Sequence, residues 1–313
     1  MTAASNASIA PGRRLRTWQL LAICVGVWST TWYAITFQIG LMAPEVGVAY
    51  RFGLAGLVVL AICMARGLPL RFTLREHALM LMQGAFLYGV SYICVYHAER
   101  HMASGLVAVG FSASPLIGGV AARWMFGARL TRRFIAGGLL GVAGIALIFW
   151  PEFGRAAGNT ETALGAVLTF ASLLLSTVGS LTASRNRTNG LPLWPALGFG
   201  MLYGGLVCAL IATLQGHVFM PPHETLWWLS LLYLALAGSV LTFACFLTLQ
   251  ERIGVGPTGT VGVMTPLLAL VVSVAFEHFV PTALTFAGAA LAVAGNALML
   301  WPRRAATLAV SAV

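Results

Sequence analysis

The stretch Val142-Ala143-Gly144-Ile145-Ala146-Leu147-Ile148-Phe149-Trp150-Pro151 returns 151 positions later as Val293-Ala294-Gly295-Asn296-Ala297-Leu298-Met299-Leu300-Trp301-Pro302. The same offset sets Pro115 on Pro266, Leu116 on Leu267, Thr131 on Thr282 and Gly137 on Gly288. Matching Leu and Ala positions carry little information between apolar segments. Matching Pro, Gly and Trp-Pro positions carry more, because Pro fixes φ and Gly frees it, so their register reports a shared backbone plan. The chain reads as a duplication.

Working outward from the repeat, 59% of the 313 residues are hydrophobic and 8% charged, with a mean hydropathy of +0.89. A soluble domain carries about 25% charged residues. So few charges cannot clothe a water-facing surface of this size, and lipid is expected to cover most of it. A bilayer core about 30 Å thick needs about 20 mostly apolar residues per helix. Pro/Gly breaks and charge clusters divide the chain into ten such segments, near 17–39, 44–65, 74–97, 102–126, 131–150, 161–185, 193–215, 226–250, 257–277 and 281–301.

The arginines test that division, since cytoplasmic connections hold the excess of positive charge. With the N-terminus inside, inside segments hold Arg13, Arg14, Arg16, Arg66, Arg71, Arg75, Arg129, Arg132, Arg133, Arg185, Arg187, Arg252, Arg303 and Arg304; outside ones hold Arg100 and Arg155, and Arg51 and Arg123 fall within spans. The expectation is an all-α integral membrane protein of ten transmembrane helices with both termini cytoplasmic. The first apolar run is longer than the h-region of a secretory signal and lacks a small-residue cleavage site, so it is read as a retained helix. Five spans per repeat is an odd number, so the second copy enters the membrane from the opposite side. The expected units are a tail at 1–16, a five-helix repeat at 17–151, an extracytoplasmic linker at 152–160, a second repeat at 161–302 and a tail at 303–313. Inverted five-helix repeats are a recurring transporter plan, with the site near the midplane and access alternating between the two sides.

Missing residues narrow the chemistry. Every basic residue apart from histidine is Arg and every acidic one is Glu. Without Lys there is no P-loop and no Schiff-base lysine; without Asp there is no aspartyl protease dyad. No Gly-x-Ser-x-Gly elbow occurs either. The formal charge of +10 is spread in twos and threes between apolar runs, which fits topology and not a nucleic-acid face. All five cysteines, Cys24, Cys63, Cys94, Cys208 and Cys245, lie in apolar segments and read as packing residues. His97 and His101, four apart around Glu99, read as loop chemistry at a helix end. No metal, cofactor or catalytic residue is expected.

Several motifs resemble the EamA family of the drug/metabolite transporter superfamily over essentially the whole chain. The first helix carries Val27-Trp28-Ser29-Thr30-Thr31-Trp32 and the second Tyr50-Arg51-Phe52. Pro115 and Pro266 stand in the fourth helix of each half. Phe276-Glu277, Pro281-Thr282 and the Gly-rich last helix ending Trp301-Pro302 complete the likeness. Position 126, which corresponds to Glu277, is Phe where the family often has an acid. The resemblance implies an inner-membrane carrier, commonly an exporter of amino acids or other small metabolites, with helices one, three, four, six, eight and nine around a central site.

Trp28, Ser29, Thr30 and Trp32 place rings and hydroxyls inside the first helix, away from the interfacial belts, and are read as substrate-binding, against packing and hydroxyl back-bonding as the alternative. Tyr88 and Tyr92 recur with Tyr96 every four residues on the third helix and are read as cavity-lining. Ser176, with Ser172 and Ser180, forms a like stripe on the sixth, where helix packing explains the pattern equally well. Arg51 sits roughly 10 Å inside its helix. A charge at that depth suggests function, and a structural or gating ion pair with Glu99, Glu277 or Glu45 is favoured over direct substrate binding. Pro115, Pro257 and Pro266 free backbone carbonyls where helices bend. Gly137 and Gly141 are read as an intramolecular packing face, with a homodimer interface as the alternative. The expected function is secondary transport of a small amphipathic, amino-acid-like metabolite out of the cytoplasm; a membrane-embedded enzyme, with Cys94 and His97 as its pair, and a passive channel are the rivals.

Overall fold

The computed structural model describes residues 15–127, 130–155, 160–253, 258 and 260–300. Their secondary structure is helical, joined by short turns. In chain order the helices are α1 (Thr17–Thr36), α2 (Pro44–Ala65), α3 (Leu74–Gly84, a π-helical stretch Ala85–Val90, then Ser91–Ala98) and α4 (Ser104–Gly110, a 3-10 turn Phe111–Ala113, then Ser114–Phe126). They continue with α5 (Arg132–Arg155), α6 (Thr160–Thr188) and α7 (Leu193–Leu214). After these come α8 (Thr225–Leu232, a π-helical stretch Tyr233–Leu241, then Thr242–Ile253), α9 (Thr260–Phe276) and α10 (Ala283–Leu300). Helix α5 continues to Arg155 and α6 begins at Thr160, so most of the stretch expected as a linker is helix.

The ends follow local chemistry. Pro44 starts α2, where its missing N–H costs nothing. Thr73 and Glu76 close a reciprocal cap on α3, with Thr73 Oγ1 accepting from the Glu76 N–H and Glu76 accepting from the Thr73 N–H at 2.7 Å. Gly127 ends α4 at φ 67°, a conformation that L side chains rarely adopt.

Among the described residues, six stretches are long and apolar enough to cross a membrane: Pro44–Ala65, Leu74–Ala98, Ser104–Ala121, Thr160–Thr188, Leu193–Leu214 and Thr225–Leu249. Met264–Phe276 and Ala283–Met299 are shorter apolar helices. Large apolar side chains such as Leu57, Leu139, Val167, Leu206, Val271 and Phe286 are exposed on the outside of the bundle. In water this would be an aggregating surface; against acyl chains it is the solvated one.

The repeat shows in the packing. A Cβ on Gly137 would come within 2.4 Å of the Gly295 carbonyl oxygen, and one on Gly144 within 2.5 Å of that of Gly288. Since 137 corresponds to 288 and 144 to 295, the two contacts exchange under the repeat, and α5 crosses α10 about a two-fold-like axis. Helices α2 and α7 cross as closely: Gly56 would meet the Leu202 nitrogen at 2.5 Å and Gly205 that of Gly53 at 2.6 Å. The Gly137 face is therefore used within the chain.

Both π-helical stretches also correspond, residues 85–90 falling on 236–241. Each receives the first helix of the other half. Trp28 of α1 sits at Gly238 of α8, and the equivalent Gly179 of α6 sits against Leu87 of α3, where a Cβ would meet the Leu87 nitrogen at 2.5 Å. Large and small residues have changed places between the two contacts, which conserves the crossing while making the halves chemically unlike.

Candidate central site around Arg51

Arg51 is 1% exposed although it is a cation inside an apolar helix. Its guanidinium lies 4.7 Å from the Tyr92 ring centroid and 5.0 Å from that of Phe52, contacts worth about 2 kcal/mol or more when desolvated. Nε donates to Ser239 Oγ at 3.2 Å. Nη1 has no hydrogen-bond partner, and no ion pair forms to it among the described residues. In place of the ion pair expected from the sequence, Arg51 has aromatic faces and one hydroxyl, because α2 turns it towards α3 and the π-helical stretch of α8. Glu45 pairs with His97, Glu277 with Ser273, and Glu99 accepts no hydrogen bond.

That stretch supplies the hydroxyl. Ser239 Oγ donates to the Leu234 carbonyl at 2.9 Å and Thr242 Oγ1 to that of Ala237 at 2.6 Å, both five residues back, the spacing of a π-helix. The Gly238 carbonyl accepts the Trp28 indole N–H at 3.1 Å. Gly238 lies between α1 and Arg51: a Cβ there would be 2.6 Å from Thr31 Cγ2 and 3.6 Å from Arg51 Nη2.

The other expected residues distribute as follows. Trp28 packs on Phe243 and Phe246, with ring centroids 5.2 and 5.0 Å away. Ser29 is fully buried and bonds to the carbonyls of Val25 and, across to α9, Thr265. Thr30 shares a hydrogen bond with the Tyr233 hydroxyl. The Trp32 ring lies 5.2 Å from that of Phe111, and its buried indole N–H is unpartnered. Tyr88 packs between Phe52 and Phe243, while Tyr92 joins Phe52 and Arg51. Ser176 bonds only to the Leu173 carbonyl of its own helix. Ser172, one turn earlier, reaches the Ser91 carbonyl of α3 at 2.7 Å. Pro115 follows the 3-10 turn of α4, Pro266 lies inside α9, and Pro257 falls outside the described residues. The structure thus joins Trp28, Tyr88, Tyr92 and Arg51 through Phe52, Phe243 and Gly238, and leaves Ser176 to its own helix.

The three acids expected near Arg51 lie at helix ends, Glu45 in the first turn of α2, Glu99 just past α3 and Glu277 just past α9. Glu99, just beyond α3, is 8% exposed, and neither carboxyl oxygen has a hydrogen-bond partner. Burial first, then the nearby Glu277 charge, hold its carboxyl well above the usual carboxylate range, against the pull of Arg51. Glu277 is half-buried and accepts a hydrogen bond from Ser273. Glu45 pairs with His97 Nε2 at 2.7 Å, and His217 Nε2 is 3.8 Å from its other oxygen. His101 pairs instead with Glu161, so His97 and His101 serve separate acids. A cavity of about 680 Å³ opens here, lined by Gly40, Pro44, Glu45, His97, Arg100 and His217 among others. It does not reach Arg51, whose surroundings are packed.

Gly238, Ser239, Tyr233 and Phe243 were not legible as site residues, since no sequence pattern marks a π-helical stretch. The acid with two histidines was equally hidden, because His217 comes from the turn after α7.

The EamA-like transporter family profile matches residues 16–150 and 162–301. This chain belongs to that family. The uncharacterized inner membrane transporter YedA of Escherichia coli (strain K12) is 26% identical over 248 residues, 78% of this chain and 77% of YedA. An uncharacterized transporter of Archaeoglobus fulgidus is 23% identical over 190 residues, 58% of this chain and 68% of its own. A crystal structure at 21% identity superposes with a TM-score of 0.67 over 90% of this chain and 96% of that one, a likeness of fold. As an EamA-like protein with these apolar helices, the chain is a multi-pass membrane transporter.

Proposed function

We propose that this EamA-like transporter is a secondary carrier of ten transmembrane helices in two inverted repeats, exporting a small amino-acid-like metabolite by alternating access. One observation carries the reading: Trp32 Nε1 of α1 and Arg51 Nη1 of α2 are buried donors without acceptors, both beside aromatic rings, and the Glu99 carboxyl just beyond α3 is a buried acceptor without donors. Unsatisfied buried polar groups cost about 1–3 kcal/mol each, more when charged. A ligand carrying both a carboxylate and an ammonium group answers both kinds at once, and the rings of Trp28, Tyr92 and Phe243 would take its apolar part. Direct recognition by Arg51 thus replaces the gating ion pair as the favoured role. Tyr88 and Ser29 hold this layer together, and Thr30 ties α1 to α8.

Opening would come from the elements that already depart from regular α-helix, α3 and α8 with their π-helical stretches and α4 and α9 with Pro115 and Pro266. Arg66, Arg71 and Arg75 after α2, with Arg185 and Arg187 at the end of α6, support a cytoplasmic face opposite the Glu45 end.

Counterflow tests the reading. Proteoliposomes are loaded with one unlabelled amino acid at a time, and entry of the labelled compound is followed without an ion gradient. Saturable overshoot with some amino acids, abolished by Trp28→Ala and Arg51→Gln, is expected. Its absence across the panel, in protein that is folded by circular dichroism, sinks the exchange reading, and non-saturating flux without counterflow replaces it with a channel.

A further inference from the structure

Glu99 remains unexplained as a structural residue. A carboxyl group kept for packing would be met by donors, yet both of its oxygens are buried and bare. Among the described residues, two charges act on it. From α2, Arg51 attracts its charged form but is turned to Ser239 and two rings. From the end of α9, Glu277 repels it. On its own segment, Tyr96 donates to Gln38 at 3.0 Å, His97 faces Glu45 and His101 faces Glu161. No hydrogen bond reaches either oxygen, and burial with the Glu277 charge outweighs the pull of Arg51, so the neutral acid is the favoured form. Glu277, at the end of α9, is half-buried where Glu99 is buried.

We propose that Glu99 is a proton-binding site, loaded from solvent through Glu277, from which a primary ammonium group displaces the proton. In the step the Glu99 O–H bond breaks and its proton passes to water beside Glu277. The carboxylate then pairs the ammonium, which keeps its own three protons, so one cation replaces another and the charge at the site is unchanged. The displacement rests on the proposed carrier reading; the proton site does not.

The test needs no transport. Infrared difference spectra of the full chain in detergent, titrated in pH, report protonated carboxyl groups by their C=O stretch. The wild type is expected to show such a band at neutral pH, lost in Glu99→Gln and titrating at lower pH in Glu277→Gln, where the repelling charge is gone. No band at neutral pH, or one unchanged in Glu99→Gln, overturns the proton site. If Glu99→Gln does not fold, the direction of the Glu277→Gln shift decides the same question. Ethylamine added to the wild type should abolish the band saturably, with an apparent affinity that falls about tenfold per pH unit on the acid side, as one-for-one exclusion requires. A band that ethylamine leaves unchanged overturns the displacement. Failed counterflow with a band that behaves as expected overturns the carrier reading alone.

Discussion

Two glycines one turn apart on α5 should respond in opposite ways to the same added methyl group. A Cβ at Gly137 would stand 2.4 Å from the Gly295 oxygen, 2.7 Å from Met299 Cγ and 2.9 Å from the Met299 nitrogen. Ordinary contact begins near 3.4 Å, so α10 would have to retreat by about 1 Å, and two of the three obstacles are backbone. Overpacking of that kind costs about 1–3 kcal/mol, against about 1 kcal/mol gained by exchanging Gly for Ala in a helix interior. Gly141 has nothing within 4 Å of the same methyl group, so only the gain applies. Gly137→Ala should therefore lower the thermal midpoint in detergent and Gly141→Ala should raise it, by about 2 °C per kcal/mol for a chain this long. Gly288→Ala, the repeat counterpart of Gly137, should fall with it, because its Cβ would meet the Gly144 oxygen at 2.4 Å. A Gly137→Ala protein more stable than the wild type, or a Gly141→Ala protein that falls below it, would refute the close α5–α10 crossing.

Ser172→Ala removes the bond from α6 to the Ser91 carbonyl and should cost about 0.5–2 kcal/mol in detergent unfolding. Ser176→Ala, which loses only a bond within its own helix, should be near neutral. Trp28→Phe keeps the contacts with Phe243 and Phe246 and loses the bond to Gly238. One hydrogen bond of about 0.5–1.5 kcal/mol should slow counterflow about two- to tenfold while the midpoint moves little. Glu99 also sets a slope in stability. Its folded pKa is raised, so above the unfolded value of about 4.3 the native state holds a proton that the unfolded chain has lost. Stability is then greatest below that value and falls as pH rises towards the folded pKa. Glu99→Gln should flatten thermal midpoints plotted against pH over that window; an unchanged slope assigns it to another group.

What the sequence disclosed was set by periodicity and punctuation. Apolar runs, Pro/Gly breaks and charge clusters act locally, so they can be read without coordinates, as the 151-residue offset can. The seat of Arg51 could not be. Its depth in α2 was legible, but its partners lie on α3 and α8, and the shift that brings Ser239 to it depends on hydrogen bonds five residues long that leave no residue signature. Tyr88, Tyr92 and Tyr96 share a helix face by spacing alone, yet they go to Phe52 and Phe243, to Arg51 and to Gln38. Spacing names a face; only packing names what the face meets.

The two halves have diverged where the proposed carrier mechanism would need them to. Where both repeats kept glycine, at 137 and 288 and at 144 and 295, the crossing is backbone against backbone and leaves no side chain to rearrange. Where they differ, at Trp28 against Gly179 and at Leu87 against Gly238, a π-helical stretch meets a first helix, and one copy carries an indole hydrogen bond that the other lacks. Arg51 corresponds to Leu202 and Glu277 to Phe126, so the charged groups are likewise single copies at paired positions. A chain with identical halves would have two equivalent arrangements of its first-helix contacts, of equal energy and with no charge to distinguish them. Confining the charges and the indole bond to one set of positions makes the two arrangements unequal. Under the proposed function, either cation bound at Glu99, a proton or an ammonium group, would change their balance relative to the empty site.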